Sequence, residues 1–176
     1  METKQIHLER ITYDNVGKVL KLRVARDQKH YLGSNEQSLA LAYATLSDGD
    51  PVFPFAIYHG KTPVGFIMID YDDDWTGYGR DVWLNSEDYK RYQGKPFYYI
   101  WRFMIDRRYQ GKGYGRQAFR LALDFVRTLP CGPSDICWLS YEPENEAAKK
   151  LYASFGFVEA PEGYVEGEEM PAILKL

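Results

Sequence analysis

The stretch RRYQGKGYGRQAF, residues Arg107 to Phe119, places three glycines within five positions at the start of a predicted helix. Glycine disfavours regular structure, so this concentration needs a physical reason. Bare backbone N–H groups at a helix start suit an anion, because they are unpaired and carry partial positive charge. Lys112 and Arg116 add further positive charge. From the glycines alone, a phosphate cradle and an ordinary tight turn both remain open.

Two familiar phosphate-binding loops do not fit this stretch. The Walker pattern requires Ser or Thr directly after its Gly-Lys pair, whereas Gly113 and Tyr114 follow Lys112. The dinucleotide pattern GxGxxG requires a third glycine where this chain has Arg116. A phosphate cradle here would therefore belong to another class.

Periodicity predicts a mixed sheet with helices packed on it, in the order β-α-α-β-β-β-α-β-α-β-β. In the first half, a strand opens at Ile6 and a helix capped by Asp14 runs to about Arg26. Ser34 is expected to cap a second helix. A hairpin then turns around residues 60–63, and residues 72–95 are expected to form an elaborated loop.

The second half of the chain repeats strand-helix units. The long strand PFYYIWRFMID leads into the glycines and a helix from about Gly113 to Thr128, followed by the strand DICWLSY. The short helix in PENEAAKKLYASFGF ends at Gly156, and two closing strands start near Phe157 and Met170. The apolar face expected for the helix after the glycines consists of Tyr114, Ala118, Leu121, Ala122 and Phe125.

Composition predicts one globular domain spanning residues 1–176. The chain is 45% hydrophobic and 27% charged, and its net charge of -3 gives no indication of nucleic-acid binding. Cys131 and Cys137 fit neither a disulfide framework nor, with three scattered histidines, a zinc site, so no metal is expected. The N-terminus lacks the apolar segment of a signal peptide, and no apolar run suits a membrane span. We expect a cytoplasmic protein without membrane contact.

Two motifs in the second half resemble the GCN5-related N-acetyltransferases. QGKGYG matches the family signature Q/R-x-x-G-x-G/A, after a long strand and at a helix start. Asn145 to Phe157 is similar to the family pattern N-x-x-A-x-x-x-Y-x-x-x-G-F. Together the two motifs and their strands cover Tyr98 to Phe157. More narrowly, WRFMID and WLSYEPEN resemble the bacterial spermine/spermidine acetyltransferase branch.

The resemblance implies the fold class and the cofactor. The fold would be α/β (α+β), a single domain with a mixed, mostly antiparallel sheet, a splayed parallel strand pair and flanking helices. Acetyl-CoA would lie where the parallel strands splay. Its pyrophosphate would rest on the backbone of Gln110, Gly111, Lys112, Gly113, Tyr114, Gly115 and Arg116. Its pantetheine arm would pair with the edge of Phe103, Met104 and Ile105.

Asn145 and Tyr152 are seven residues apart, so on a helix they point nearly the same way, about 20° apart. The resemblance implies that Asn145 bonds the cofactor arm and that Tyr152 is the acid that protonates the departing thiolate. The other interpretation of Tyr152 is a packing tyrosine whose ring lies among Ala148, Leu151 and Phe155.

Direct attack of an amine on a thioester needs few catalytic groups. The tetrahedral oxyanion requires a backbone N–H donor, for which Met104 is the candidate. A phenol with a pKa of about 10 can supply a proton to a thiolate whose thiol has a pKa of about 8.5. No covalent enzyme intermediate is needed, which agrees with the lack of a Ser-His-Asp or Cys-His signature.

Two acidic runs are candidates for attracting a cationic amine. The first is Asp70, Asp72, Asp73 and Asp74, and the second is Glu159, Glu162, Glu166, Glu168 and Glu169. Trp75, Tyr78 and Trp83 add aromatic faces for cation–π contact. Each run can equally be an ordinary solvated loop. Glu142 is a further candidate for contacting the amine or relaying its proton, and no single general base is chosen.

The acceptor predicted from these features is spermidine, spermine or a related diamine. An aminoglycoside or a protein amine would use the same chemistry. A non-catalytic acyl-CoA sensor is a third option, against which the retained Asn145 and Tyr152 argue. Arg102, beside the expected cofactor edge, fits a cationic acceptor poorly unless it pairs with an acidic residue. The resemblance also makes a homodimer an expected option.

Overall fold

The computed structural model describes residues 5–72, 91–92, 94–160 and 169–176. Its strands are β1 (Ile6–Arg10), β2 (Val52–His59), β3 (Thr62–Asp72), β4 (Phe97–Ile105), β5 (Ile136–Tyr141), β6 (Val158–Glu159) and β7 (Met170–Lys175). The α-helices in these ranges are α1 (Tyr13–Val19), α2 (Asn35–Asp48), α3 (Tyr114–Arg127) and α4 (Glu146–Ala153), and Arg26–Gln28 forms a turn of 3₁₀ helix.

The strands form one sheet in the order β1-β2-β3-β4-β5-β7-β6. β1 with β2, β2 with β3, β5 with β7 and β6 with β7 pair antiparallel. β4 and β5 pair in parallel, with Tyr98 opposite Cys137 and Tyr99 opposite Trp138. The expected mixed, mostly antiparallel sheet with a parallel pair is confirmed, as is the hairpin of β2 and β3.

The chain forms two compact units. The first comprises Met1–Asp70 and Ile100–Thr128, and the second Tyr71–Tyr99 and Leu129–Leu176. That residues 1–176 form one domain stays a prediction. The loop expected over residues 72–95 lies mostly outside the described residues.

The first unit is built on an apolar core beneath its two N-terminal helices. Val19, Ala56, Phe66 and Met68 are fully or almost fully buried in it, and Met104 of β4 joins them. Burial of side chains as large as Val19, Phe66 and Met68 contributes roughly 1.5 to 3 kcal/mol each. α2 begins as predicted, because the Ser34 side chain accepts a hydrogen bond from the Gln37 N–H.

The predicted first helix is much shorter than expected. Thr12, not Asp14, is its N-cap, and α1 ends at Val19 rather than near Arg26. The physical reason is a competing tertiary contact: the backbone N–H of Arg23 donates to the Asp106 carboxylate at 2.9 Å. The guanidinium of Arg23 also donates to the backbone oxygens of Leu20 and Leu22. The helix therefore ends early, and the backbone N–H of Arg23 bonds Asp106 instead of a helical carbonyl.

The buried face of α3 is rotated from the predicted one. Ala118 and Ala122 are buried as expected, but Leu121 and Phe125 are only half-buried. The ring of Phe125 meets Phe53 edge-on at 5.1 Å. Residues that the prediction omitted, Phe119, Leu123 and Val126, complete the buried stripe. Two adjacent apolar stripes on one helix made the choice of face ambiguous.

The second unit packs β5 and β7 around large aromatic side chains. Phe97, Tyr98, Ile136 and Leu139 are buried in it. The Tyr98 hydroxyl donates to the Gly132 oxygen and accepts from the Cys131 N–H, each at 3.1 Å, which fixes the loop before β5. None of the helices in the described ranges has the length and apolar character that crossing a membrane requires.

Candidate functional site

The predicted cofactor residues 110–116, here called the glycine loop, join β4 to α3. Gly111 and Gly113 have φ values of 73° and 75°, a left-handed conformation that glycine adopts without strain. A Cβ atom at either position would meet nothing within 4 Å, so both glycines leave open space above the backbone. Gly113 is the N-cap of α3, and within the described chain no side chain caps this helix. Its first N–H groups can therefore bind an anion.

Positive charge surrounds the glycine loop. Lys112 and Arg116 are exposed, as an anion-binding role requires. The Nζ atom of Lys112 lies 5.4 Å from the centre of the Tyr109 ring, and the guanidinium of Arg108 lies at the same distance. Both cations thus make cation–π contact with the Tyr109 ring, which restricts their positions beside the loop.

The side chain of Gln110 fixes the loop rather than pointing away from the protein. Its Nε2 donates to the Gln28 side-chain oxygen at 2.7 Å and to the Ile105 backbone oxygen at 2.9 Å. The loop is held at its other end as well. The Tyr114 ring stacks on His59 at 4.6 Å, with its hydroxyl 3.3 Å from Nδ1 of His59. These contacts organise the loop without a ligand.

Asp106 anchors the segment that enters the loop. Its carboxylate is 1% exposed and accepts from the backbone N–H groups of Arg23 and Arg108 and from the Arg108 guanidinium. Burial raises the pKa of Asp106, but these hydrogen bonds outweigh it and hold the pKa below its usual range. No local pattern around Asp106 indicates this role, because Arg23 lies 83 residues away.

Replacing Asp106→Asn should lower the free energy of unfolding by about 2 kcal/mol, since a buried carboxylate that accepts several hydrogen bonds is lost. A lowered pKa in the folded state means that the carboxylate stabilises the fold above its unfolded pKa of about 3.9 and that this contribution is lost as the pH falls through the folded value. Urea unfolding at pH 7 and below about pH 4 measures both effects. The gap between wild type and variant should narrow in acid, and a constant gap would contradict this assignment.

The predicted pantetheine edge lies on β4. Met104 and Ile105 are buried, and Phe103 packs on Phe119 with ring centres 5.4 Å apart. Met104 also lines a cavity of about 240 Å³, whose other walls come from the segment between α1 and α2 and from the start of α2. The approach of β3 is close here: a Cβ atom on Gly65 would lie 2.4 Å from the Met104 oxygen.

Arg102 is held by its neighbour on the same strand. Its guanidinium donates to the Trp101 backbone oxygen at 2.8 Å and lies 5.6 Å from the centre of the Trp101 ring. Its Nε is buried without a hydrogen-bond partner among the residues that the structure describes. The cation is thus fixed against Trp101.

Asn145 and Tyr152 lie on α4 in the second unit. Asn145 is the N-cap, and its Oδ1 accepts from the Ala148 N–H at 3.1 Å. This leaves the side-chain NH₂ group as the one that can donate to a ligand. The predicted bond between Asn145 and the cofactor arm stays a prediction.

Tyr152 is buried among aromatic rings. It is 8% exposed, and its ring lies 5.6 Å from that of Tyr141 and 6.1 Å from that of Phe157. Burial, then the negative charge of Glu169 and the phenol of Tyr99, raise the pKa of Tyr152 well above its usual value. The side chain therefore remains a neutral phenol, which is the form that both packing and proton donation require.

The Glu159 carboxylate is in contact with both Tyr141 and Lys149. The Tyr141 hydroxyl donates to Glu159, and the Lys149 ammonium lies 3.0 Å from the same carboxylate. Burial and the bond to Glu159 raise the pKa of Tyr141, whereas the bonds from Tyr141 and Lys149 lower the pKa of Glu159. Glu159 is thus held in its charged form by two donors.

Ser140 joins Tyr99 to Glu169. The Ser140 hydroxyl donates to the Glu169 carboxylate, and the Tyr99 hydroxyl lies 3.5 Å from the Ser140 oxygen. The Tyr99 ring stacks on Trp138 at 4.2 Å. Glu169 is predicted from the sequence only as part of an acidic run, and Ser140 is not predicted at all, because the two are 29 residues apart and no local pattern connects them.

The other predicted acidic residues have different surroundings. Asp70, in β3, is 2% exposed, and Asp72 at the end of the strand is half-buried. Glu142, directly after β5, is half-buried too. Predicted residues that lie outside the described chain are Asp73, Asp74, Trp75, Tyr78, Trp83, Glu162, Glu166 and Glu168. Within the ranges described, no group of three or more His, Cys, Asp or Glu side chains could hold a metal.

Comparison with known proteins supplies one family and several relatives. The acetyltransferase (GNAT) family model matches residues 21–157. Spermine/spermidine N(1)-acetyltransferase of Bacillus subtilis (strain 168) is 31% identical over 157 residues, 86% of this chain and 87% of that protein.

Two solved structures share the fold at low identity. Spermidine N-acetyltransferase from Vibrio cholerae, in complex with CoA and spermine, has a TM-score of 0.64 and 18% identity over 97% of this chain and 95% of that one. Arabidopsis thaliana Naa50, in complex with a bisubstrate analogue, has a TM-score of 0.60 and 17% identity over 98% of this chain and 99% of that one.

Proposed function

Since this chain belongs to the acetyltransferase (GNAT) family and is an acetyl-CoA-dependent N-acetyltransferase, we propose that its acceptor is a primary amine of a polyamine. Spermidine, spermine and related diamines are the expected substrates. The observation that carries the proposal is the 31% identity, over 86% of this chain, to a spermine/spermidine N(1)-acetyltransferase.

The glycine loop is the proposed site of the cofactor pyrophosphate. Its fit rests on three features: two glycines with open space above them, an uncapped helix start, and the exposed cations Lys112 and Arg116. Phe103, Met104 and Ile105 would pair with the pantetheine arm through their backbone. The cofactor supplies the activated acetyl thioester, and the residues of this chain bind it and handle the protons.

Tyr152 is the proposed acid that protonates the departing sulfur. A raised pKa keeps its hydroxyl protonated over the physiological range, so the proton is present whenever it is needed. The burial that raises the pKa of the phenol raises that of a thiol in the same surroundings as well, because both anions lose hydration. Donation from a buried phenol to a buried thiolate therefore remains feasible.

Carboxylates in the second unit support a cationic acceptor. Glu169 is exposed and Glu142 is half-buried, so both can attract an ammonium group. Such attraction between exposed charges is screened by salt. In the first unit, the guanidinium of Arg102 lies over the Trp101 ring. This cation–π contact with the aromatic face offsets part of the positive charge that would repel a cationic acceptor.

Release of free thiol from acetyl-CoA in a panel of amines tests the acceptor. We expect release with spermidine and spermine and much less with butylamine, a monoamine that has the same nucleophile but no second charge. The rate with spermidine at low substrate should fall as salt increases. Release only with an aminoglycoside or with peptide N-termini would overturn the polyamine assignment and leave the acetyltransferase chemistry intact.

A further inference from the structure

Three side chains from successive parts of the second unit form a hydrogen-bonded chain. Ser140 donates its hydroxyl hydrogen to Glu169. Because that hydrogen is already used, Tyr99 must be the donor in its 3.5 Å contact with the Ser140 oxygen. The order of donation is therefore Tyr99 to Ser140 to Glu169, with the carboxylate as the final acceptor.

This chain lies beside the proposed acid. Besides burial, the negative charge of Glu169 and the phenol of Tyr99 both raise the pKa of Tyr152. The Glu169 carboxylate therefore contacts Ser140 directly and acts on the Tyr152 phenol through its charge. A carboxylate that accepts a hydrogen bond and a phenol beside it are the two kinds of group that a base and an acid require.

Exposure distinguishes the two groups. Tyr152 is buried, whereas Glu169 is exposed at the start of β7. A base that accepts a proton in each turnover must return it to water, which an exposed carboxylate can do. Glu159, another carboxylate of the second unit, already accepts from Tyr141 and Lys149, which makes it a weaker base.

We propose that Glu169, acting through the hydroxyl of Ser140, is the base that removes a proton from the incoming amine. This inference rests on the proposed function, in that the acceptor is an ammonium ion in solution. An N–H bond of the ammonium breaks and its proton passes to the Ser140 oxygen, while the Ser140 proton passes to Glu169. The ammonium becomes a neutral amine and the carboxylate becomes a carboxylic acid.

The neutral amine then attacks the thioester. The nitrogen lone pair forms the C–N bond with the thioester carbonyl carbon, and the C–S bond breaks with its electron pair on sulfur. Tyr152 gives its proton to the sulfur and recovers one from the nitrogen, which becomes the neutral amide. Glu169 then releases its proton to water, so each turnover yields the amide, the free thiol and one proton.

The test compares pH profiles of thiol release for wild type, Glu169→Gln and Ser140→Ala, with the amine that the panel identifies as the best acceptor. Glu169→Gln should lower kcat by about 100-fold and leave the KM for acetyl-CoA unchanged. Its remaining rate should rise with pH toward the pKa of the amine, about 10, because solvent must then deprotonate it. Ser140→Ala should show the same profile, and the double variant should be no slower than either single variant.

Glu159→Gln is the matched control, since it removes a carboxylate from the neighbouring strand and should retain the wild-type profile. A kcat for Glu169→Gln within about 2-fold of wild type and an unchanged pH profile would overturn the inference. A higher KM for the amine at unchanged kcat would overturn it too, because Glu169 would then only bind the ammonium. If the best acceptor is not a polyamine, the proposed function fails while this comparison still decides the role of Glu169.

Discussion

Tyr152→Phe should lower turnover by about 10²- to 10⁴-fold, the range that a general acid contributes, while CoA affinity and the fold are kept. The variant removes one oxygen atom from a ring that is 8% exposed and packed against Tyr141 and Phe157. Phenylalanine fills the same space, so the packing survives. The loss should fall on kcat with little change in KM, because the phenol acts when the thiolate leaves.

Tyr141→Phe provides the matched control for this prediction. It also deletes a phenol whose pKa is raised by burial, and its ring is in contact with Tyr152. Its hydroxyl is committed to Glu159, so its loss should reduce stability by about 1 kcal/mol and leave kcat close to wild type. Thiol release and thermal unfolding measure the two effects. Near-normal turnover of Tyr152→Phe would remove this residue from the mechanism and leave it a packing tyrosine.

Gly113→Val should weaken CoA binding by about 100-fold or more, equivalent to about 2.7 kcal/mol. A branched side chain disfavours the φ of 75° at this position, and it would stand above the N–H groups that start α3. The space there is open, so the sheet should remain intact. Calorimetric titration with CoA measures the affinity, and circular dichroism reports whether the fold is kept.

Gly49→Val separates backbone strain from loss of the cradle. Gly49 ends α2 in the same unit with a φ of 101°, and a Cβ atom there would also meet nothing within 4 Å. Both variants should lose similar stability, roughly 1 to 2 kcal/mol, but the Gly49 variant should bind CoA normally. Equal CoA affinity in the two variants would mean that the glycine loop is only a turn.

The sequence predicted the parts of the fold that depend on neighbouring residues. Ser34 caps α2 and Gly113 starts α3 because both roles are decided within one helical turn. The early end of α1 could not be predicted, since it depends on Asp106, which is distant in sequence. The same reason hid the link between Ser140 and Glu169, which adjacent strands bring together.

The contacts between the glycine loop and the segment after α1 also have a thermodynamic consequence. Gln110 of the loop bonds Gln28 of that segment, and just before the loop the Arg107 N–H and the Asp106 carboxylate bond the backbone of Arg23. A ligand that binds and stabilises the loop would therefore also stabilise Arg23, which is one of the residues lining the cavity beside Met104. Binding at the glycine loop would thus order one wall of that cavity.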